Sequence, residues 1–571
     1  MREEVLKFIQ ENNLSLFDRN TARSQPSMVL KTKDAKDVYS RVLDLISDNF
    51  IFSDTKQILK LFNFADSEKE IEKRQAFFKT LPQLNNSELR SLQKIRPFWK
   101  PKYDVCVVTE SESTLIQLQK LGCPVVFINS DSDLNGLERY DLVQVIDCEN
   151  YETALERLPQ SVFIDDIENV YLERFLSNLS GWKFNIEKLD QLDLNAELSE
   201  LRNKLKEILP LIEEKQKTNI TQRDIEVALD KINSSILNQI KNMTLSGDSV
   251  ISLLSKGIPK EIQILIEKEI STSGIPEELF DISVPLRLEE KEVENYLKRQ
   301  STQEFTNSAA MVKKHSAKIK EIPNLLKKLE QELIYFDFIA GISKFNNKLS
   351  HYPKVSSNLE INKSKNLFLS NAQPISFNLK DVRCSILTGA NSGGKTTLIE
   401  HIIQLVSLSL MGMPVSGETS LPIFSEVYYF AKNKGSMSKG AFETLLTQMS
   451  EINPGERTLI LADEIEAVTE PGVAGEIIVS TAEYFLDKNC FLIIATHLGQ
   501  EIKDFLPKNC RIDGIEAKGL TENYELIVDH NPVLGRLANS TPELIVEKMA
   551  KSLKKDYFLF LYESLRKRNG T

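Results

Sequence analysis

The chain has 571 residues, of which 41% are hydrophobic and 27% charged, with a formal net charge of −11. That length predicts more than one domain, and the composition is that of ordinary folded protein rather than a disordered or fibrous one. The acidic balance excludes a surface that is basic throughout, though not a local basic groove, and six dispersed cysteines with no C-x-x-C pair exclude a disulfide frame or zinc knuckle. With no apolar run of spanning length and no signal-like start, the expectation is a cytoplasmic protein without a membrane partner.

In chain order, residues 1–102 read as a helical region. Apolar residues recur near the helical period in Val38–Leu45 and Thr55–Leu61. From residue 103 the period changes. Asp104–Thr109, Pro124–Asn129, Leu142–Cys148 and Ser161–Ile164 are short apolar runs, with helical patterns at Ser113–Lys120 and Tyr151–Leu158. Strands alternating with helices predict a small inserted parallel α/β domain over 103–185. It has no glycine fingerprint for a dinucleotide. Its paired acids Asp165 and Asp166 read either as a metal site or as a solvated strand end.

Residues 186–360 are long, charged and helical, with heptad-like apolar spacing, and predict antiparallel coiled-coil lever or clamp arms. Lys313, Lys314, His315, Lys318, Lys320, Lys327 and Lys328 form a positive run within them. It is either a solvated helix face or a phosphate-backbone contact. Residues 361–520 return to an α/β pattern, and 521–571 read as a closing strand followed by helices.

The chemistry concentrates in Ser385–Glu400, SILTGANSGGKTTLIE. An apolar run suited to a strand precedes Gly389, Ala390, Asn391, Ser392, Gly393, Gly394, Lys395 and Thr396, which fit G-x-x-x-x-G-K-[ST], and a helical run starts at Thr397. Glycines let backbone N–H groups point at phosphates, and the helix N-terminus adds its dipole. Lys395 is expected on the β- and γ-phosphates of ATP, with the Thr396 hydroxyl on Mg²⁺. A second apolar run ends in Asp463-Glu464 and a third in Thr496-His497. Asp463 is placed to complete the Mg²⁺ shell, Glu464 to polarise the attacking water, and His497 to reach the γ-phosphate. In the order loop, Asp-Glu, His, these residues predict an ABC-type ATPase, in which two copies sandwich the nucleotide. Such a site needs a partner-supplied element that places hydroxyls on the γ-phosphate. Ser436 and Ser438 in Gly435–Gly440 have that composition, which equally suits a loop capping a helix.

Taken together, residues 361–513 resemble the ATPase domain of the MutS family. The resemblance rests on Ile386–Thr397, Met411–Glu418, the two serines before a helix, Asp463-Glu464-Ile465 and Ala495-Thr496-His497, in family order. Phe368 in Phe368–Asn371 resembles the aromatic that packs on adenine. Glu70–Gln75, Leu333–Gly341 and Arg536–Ile545 are similar to phrases of the family's core, lever and C-terminal helical element. There are departures. No mismatch-reading segment is recognised before the core-like phrase, and no nuclease segment in the tail. Lys439-Gly440-Ala441 stands where the family has Thr-Phe, and Glu466–Gly472 replaces its Gly-rich turn.

The resemblance implies a dimeric ATPase with composite sites, using ATP and Mg²⁺ to switch its grip on a large substrate. Branched or damaged DNA, in repair or recombination, is the first expectation. A stalled or collided ribosome is the alternative.

Overall fold

The computed structural model describes the chain apart from residues 18–27, 96–104, 121–123, 141, 165–166, 193, 214–219, 243–257, 390–393, 433–438, 465–470, 521–525, 539–541, 554 and 569–571. Asp165 and Asp166 therefore lie outside the described residues, as do Ala390 to Gly393, Ser436 and Ser438. The fold is α/β with many helices and several sheets, divided into two compact units: Leu92–Leu329, and Met1–Ser91 together with Glu330–Thr571.

The first unit contains a parallel sheet of β1 (Val105–Thr109), β2 (Val125–Phe127), β3 (Leu142–Val145) and β4 (Ser161–Phe163), in the order β2-β1-β3-β4. Its central strands β1 and β3 are buried on both faces, and the edge strands β2 and β4 only partly. Cys106 and Val108 of β1 enter one core cluster with Val143 and Val145, while Val107 between them enters another with Leu118 and Ile146.

The charged helical stretch of this unit is divided more finely than its sequence suggests. Helices Gln222–Asn242 and Lys260–Ser273 close a small core of their own. Ile225, Ile232, Ile236, Ile262, Ile266 and Ile270 meet there at helical spacing, joined by Leu279 and Phe280. A two-stranded ladder, β5 (Phe280–Asp281) with β6 (Arg287–Leu288), closes its end. Asn233 fixes the turn into that ladder, its amide bonding both N–H (2.8 Å) and C=O (3.0 Å) of Leu286. The stretch that carries the positive run is divided among helices Glu290–Lys314, Ser316–Lys320 and Ile322–Asn346. Pro323 sits in the first turn of the last of these, where a missing N–H costs no intrahelical bond.

In the second unit the strands are β7 (Lys354–Val355), β8 (Leu359–Ser364), β9 (Ile375–Leu379), β10 (Cys384–Gly389), β11 (Glu418–Leu421), β12 (Glu426–Phe430), β13 (Thr458–Asp463), β14 (Phe491–Ala495), β15 (Cys510–Leu520) and β16 (Leu526–Leu534). A small sheet runs β7-β11-β8-β9 and the main sheet β12-β13-β14-β10-β15-β16. The main sheet is parallel from β12 to β15, and β16 returns antiparallel. Every residue of β13 and β14 is buried, each Leu or Ile contributing about 1.5–3 kcal/mol by leaving water. Helix Lys395–Met411 is buried almost all round, because helix Lys33–Ser47 from the N-terminal segment packs on it.

That segment belongs to the same compact unit as the main sheet. Leu30 bridges Val427 at the edge strand β12, with Lys31 N–H donating to Val427 O (3.0 Å) and Val427 N–H to Val29 O (2.9 Å). Thr32 Oγ1 and Asp34 Oδ2 accept the next two edge N–H groups, of Tyr429 (2.9 Å) and Ala431 (3.0 Å). In the core-like phrase, Arg74 donates to Leu410 O (3.3 Å) and Gln75 to Pro353 O (2.7 Å). Asp337, fully buried on helix Ile322–Asn346, accepts from the N–H groups of Ile51 and Phe52 (3.0 Å each), Thr55 Oγ1 (2.7 Å) and Asn86 Nδ2 (2.7 Å). Burial pushes its carboxyl above the usual carboxylate range, and those four donors oppose that shift.

Candidate functional site

The parallel register of the main sheet brings three sequence-distant strand ends to one edge. Asp463 at the end of β13 pairs with Ala495 at the end of β14, and Leu387 of β10 pairs with Ala495 from the other side. Open α/β sheets place ligands at this carboxyl edge. Gly389 leaves β10 at φ +131°, and a Cβ there would lie 2.3 Å from Ile515 O. Gly394 opens helix Lys395–Met411 at φ +94°, so both ends of the loop take backbone angles that side chains disfavour.

Lys395 follows at once, 97% hidden, with its Nζ donating to Gly389 O at 2.5 Å. The ammonium is thereby tied across the mouth of the loop. Thr396 Oγ1 donates to Asp463 Oδ2, and Asp463 Oδ1 is buried with no hydrogen-bond partner among the described residues. A carboxylate oxygen left bare beside a threonine hydroxyl fits a hard divalent cation with oxygen ligands. Burial raises the Asp463 carboxyl, the Thr396 bond lowers it and neighbouring Glu464 raises it again. A cation there would favour the charged form.

Glu464 stands in the left-handed region at φ +51°, a conformation that costs a non-glycine residue about 1–2 kcal/mol. Its N–H donates to Ala495 O at 2.9 Å, which fixes the turn out of the strand. Oε1 lies 2.7 Å from His497 Nε2 and 3.8 Å from Lys395 Nζ, and Oε2 accepts from Lys432 Nζ. Burial raises the Glu464 carboxyl, but the bonds from Lys432 and His497 outweigh it and hold the group below its ordinary value. Glu464 is an ionised carboxylate at the point where Lys395, Asp463 and His497 converge.

On the other side of the helix start, Gly394, Thr397, Leu369, Ile375, His401 and His530 line a small cavity of about 80 Å³. Phe368 N–H donates to Asn366 Oδ1 (2.9 Å), and the guanidinium of Arg41 lies 4.0 Å from the Phe368 ring centroid. Arg41 Nη1 also bonds Glu400 Oε2 at 2.9 Å on the same helix.

No protein-family model matches the chain. It is 29% identical to the DNA-binding protein MutS2 of Pyrococcus furiosus, over 94% of this chain and 99% of that relative. It is 26% identical to the endonuclease MutS2 of Borreliella burgdorferi over 66% of this chain, spanning about half (49%) of that protein. The endonuclease MutS2 of Solidesulfovibrio magneticus shares 33% identity over a fifth (20%) of this chain and 16% of its own. This chain is MutS-related.

In this MutS-related chain the structure brings Lys395, Thr396, Asp463, Glu464 and His497 together. It also gathers residues that sequence reasoning missed. Lys432 was detectable, since Val427–Phe430 is an apolar run that ends, after Ala431, in a charge. Arg41 and His530 had no such signal. One arrives from a helix more than 350 positions upstream of Glu400 and the other from the antiparallel edge strand, so only tertiary packing places them.

Proposed function

We propose that the chain is an ATPase of ABC type that works as a dimeric DNA clamp, with Mg²⁺-ATP held between the Gly389–Thr396 loop and the ends of β13 and β14. The observation that carries this reading is the buried Asp463, bonded to Thr396 through one oxygen and bare at the other, beside the ionised Glu464. Lys395 would bind the β- and γ-phosphates, and Thr396 with Asp463 would hold the cation. A bound Mg²⁺ supplies neutralisation of charge on the transferred phosphoryl group. Glu464 would orient and deprotonate the attacking water, with His497 keeping its carboxylate in place. The base would sit near Phe368 and the cavity lined by Leu369 and His530. Ser436 and Ser438 would act on the γ-phosphate of the other copy.

That a similar archaeal protein is named a DNA-binding protein supports DNA as the clamped substrate. Branched or damaged DNA is favoured over plain duplex, in repair or recombination. Lys314, Lys318, Lys320, Lys327 and Lys328, all exposed, offer a phosphate-contacting face on the lever region 186–360. Leu553, Tyr557 and Phe560, half or more exposed on helices Pro542–Leu553 and Asp556–Arg568, suit the C-terminal pair to dimerisation.

The test is steady-state ATP hydrolysis by the purified chain alone, with linear duplex, with a four-way junction and with ribosomes. Stimulation by the junction over the duplex, lost at raised salt, is the expected result. Stimulation by ribosomes alone would replace DNA with the ribosome as substrate. No hydrolysis under any of these conditions would end the ATPase reading.

A further inference from the structure

Glu464 is held by one more cation than the expected machinery uses. Lys432 lies two residues beyond β12, and its ammonium donates to Oε2 while His497 Nε2 takes Oε1 at 2.7 Å. With one cationic partner on each oxygen, fewer lone-pair directions remain for a water molecule, and Lys432 takes one of those on Oε2. Moving a partner off one oxygen opens that oxygen further to the water that Glu464 would activate as a base.

The three neighbours differ in how easily they leave. Lys395 is almost wholly buried and bonded to its own loop. His497, its side chain 38% exposed, is held on a short stem at the same strand edge as Glu464, two residues past β14. Lys432 keeps 45% of its side-chain surface exposed, on a flexible four-carbon stem that can re-aim its charge. Its ammonium and that of Lys395 flank a single carboxylate, so an anion that meets Lys395 arrives within a short swing of Lys432.

We propose that Lys432 is a γ-phosphate-responsive positioning residue that restrains Glu464 until a nucleoside triphosphate draws its ammonium away. Paired with Glu464, it crowds the approach to Oε2. Transferred to the γ-phosphate of a bound nucleoside triphosphate, it releases Oε2 to the attacking water. A diphosphate offers no anion at that place and leaves the pair intact. Lys432 thus links recognition of the third phosphate to freeing of the base. This rests on the phosphate-loop reading above.

The decisive measurement is equilibrium binding of the non-hydrolysable triphosphate AMP-PNP and of ADP, each with Mg²⁺, to the full chain and its Lys432→Ala and Lys432→Arg variants. Loss of one charge-assisted hydrogen bond predicts AMP-PNP binding about tenfold weaker in Lys432→Ala, with ADP binding changed less than about twofold. Lys432→Arg should restore the preference for the triphosphate, which a merely structural role would not require. Equal changes for both nucleotides, or none, would overturn the proposal while leaving the phosphate loop standing. If the unaltered chain binds neither nucleotide, or Lys395→Ala binds both as tightly, the phosphate-loop reading itself fails and takes this one with it.

Discussion

The two parallel sheets of this chain are built alike and equipped differently. In each, an acidic residue stands in the left-handed region just past a central strand: Asp147 after β3 at φ +50°, Glu464 after β13 at φ +51°. In the small sheet that acid is consumed locally. Asp147 Oδ2 accepts from Thr114 Oγ1 at 2.5 Å, and nearby Glu110 accepts from the N–H groups of Asn150 (2.9 Å) and Tyr151 (3.1 Å). In the main sheet Glu464 meets the ammonium groups of Lys395 and Lys432, and Asp463 keeps an oxygen without a partner among the described residues. A strained acid at a strand end is therefore not by itself a site. What distinguishes the two is the glycine-bounded loop and the convergence of Lys395, Thr396 and His497 on the same edge.

The sharpest way to break this contrast is to change the two acids in parallel. Glu464→Gln should lower ATP turnover by roughly 100-fold or more while nucleotide still binds, and kcat against ATP affinity would show it. Normal hydrolysis by that variant would remove Glu464 from the mechanism. Next in size, Asp463→Asn should cut Mg²⁺-dependent turnover by at least about tenfold, read as a shift in the Mg²⁺ concentration required. If the cation requirement is unmoved, the bare oxygen holds no metal.

A third effect is on stability. His401, buried on the helix that starts at Lys395, is pushed down to about 4 from 6.5 by burial, against a bond to Gln404 that raises it. The folded form therefore binds fewer protons than the unfolded chain between those values. Stability should be fully present above pH 6.5 and be lost as pH falls towards about 4, by on the order of 3 kcal/mol at most. Urea unfolding across that range should flatten in His401→Gln, and an unchanged slope would assign the loss elsewhere. The smallest effect belongs to the small sheet: Asp147→Asn should cost about 1 kcal/mol of stability and leave the ATPase rate within about twofold.

Much of this was legible in the chain because the signals are local. The loop at Gly389–Thr396 announces itself through glycines that occupy positive φ, and the runs ending in Asp463-Glu464 and Thr496-His497 are buried apolar strands that turn polar only at their last residues. The four strands of the small sheet were readable for the same reason. Reading the 186–360 region was harder, because isoleucines at helical spacing look the same in an extended arm and in the small core that Ile225, Ile266 and Phe280 close. Residues such as Arg41, whose partners Phe368 and Glu400 lie in another part of the chain, follow no period at all.

The pairing of Leu30 with Val427 has a bearing on solubility. Val427-Tyr428-Tyr429-Phe430 is a β-prone run without proline or charge, and residues 29–34 pair with Val427 N–H and C=O, Tyr429 N–H and the adjoining Ala431 N–H. A bare edge of that kind is a template for strand addition by other molecules. The N-terminal segment is thus a built-in guard against aggregation. A fragment that begins after Asp34 would keep every expected catalytic side chain and still be prone to precipitate.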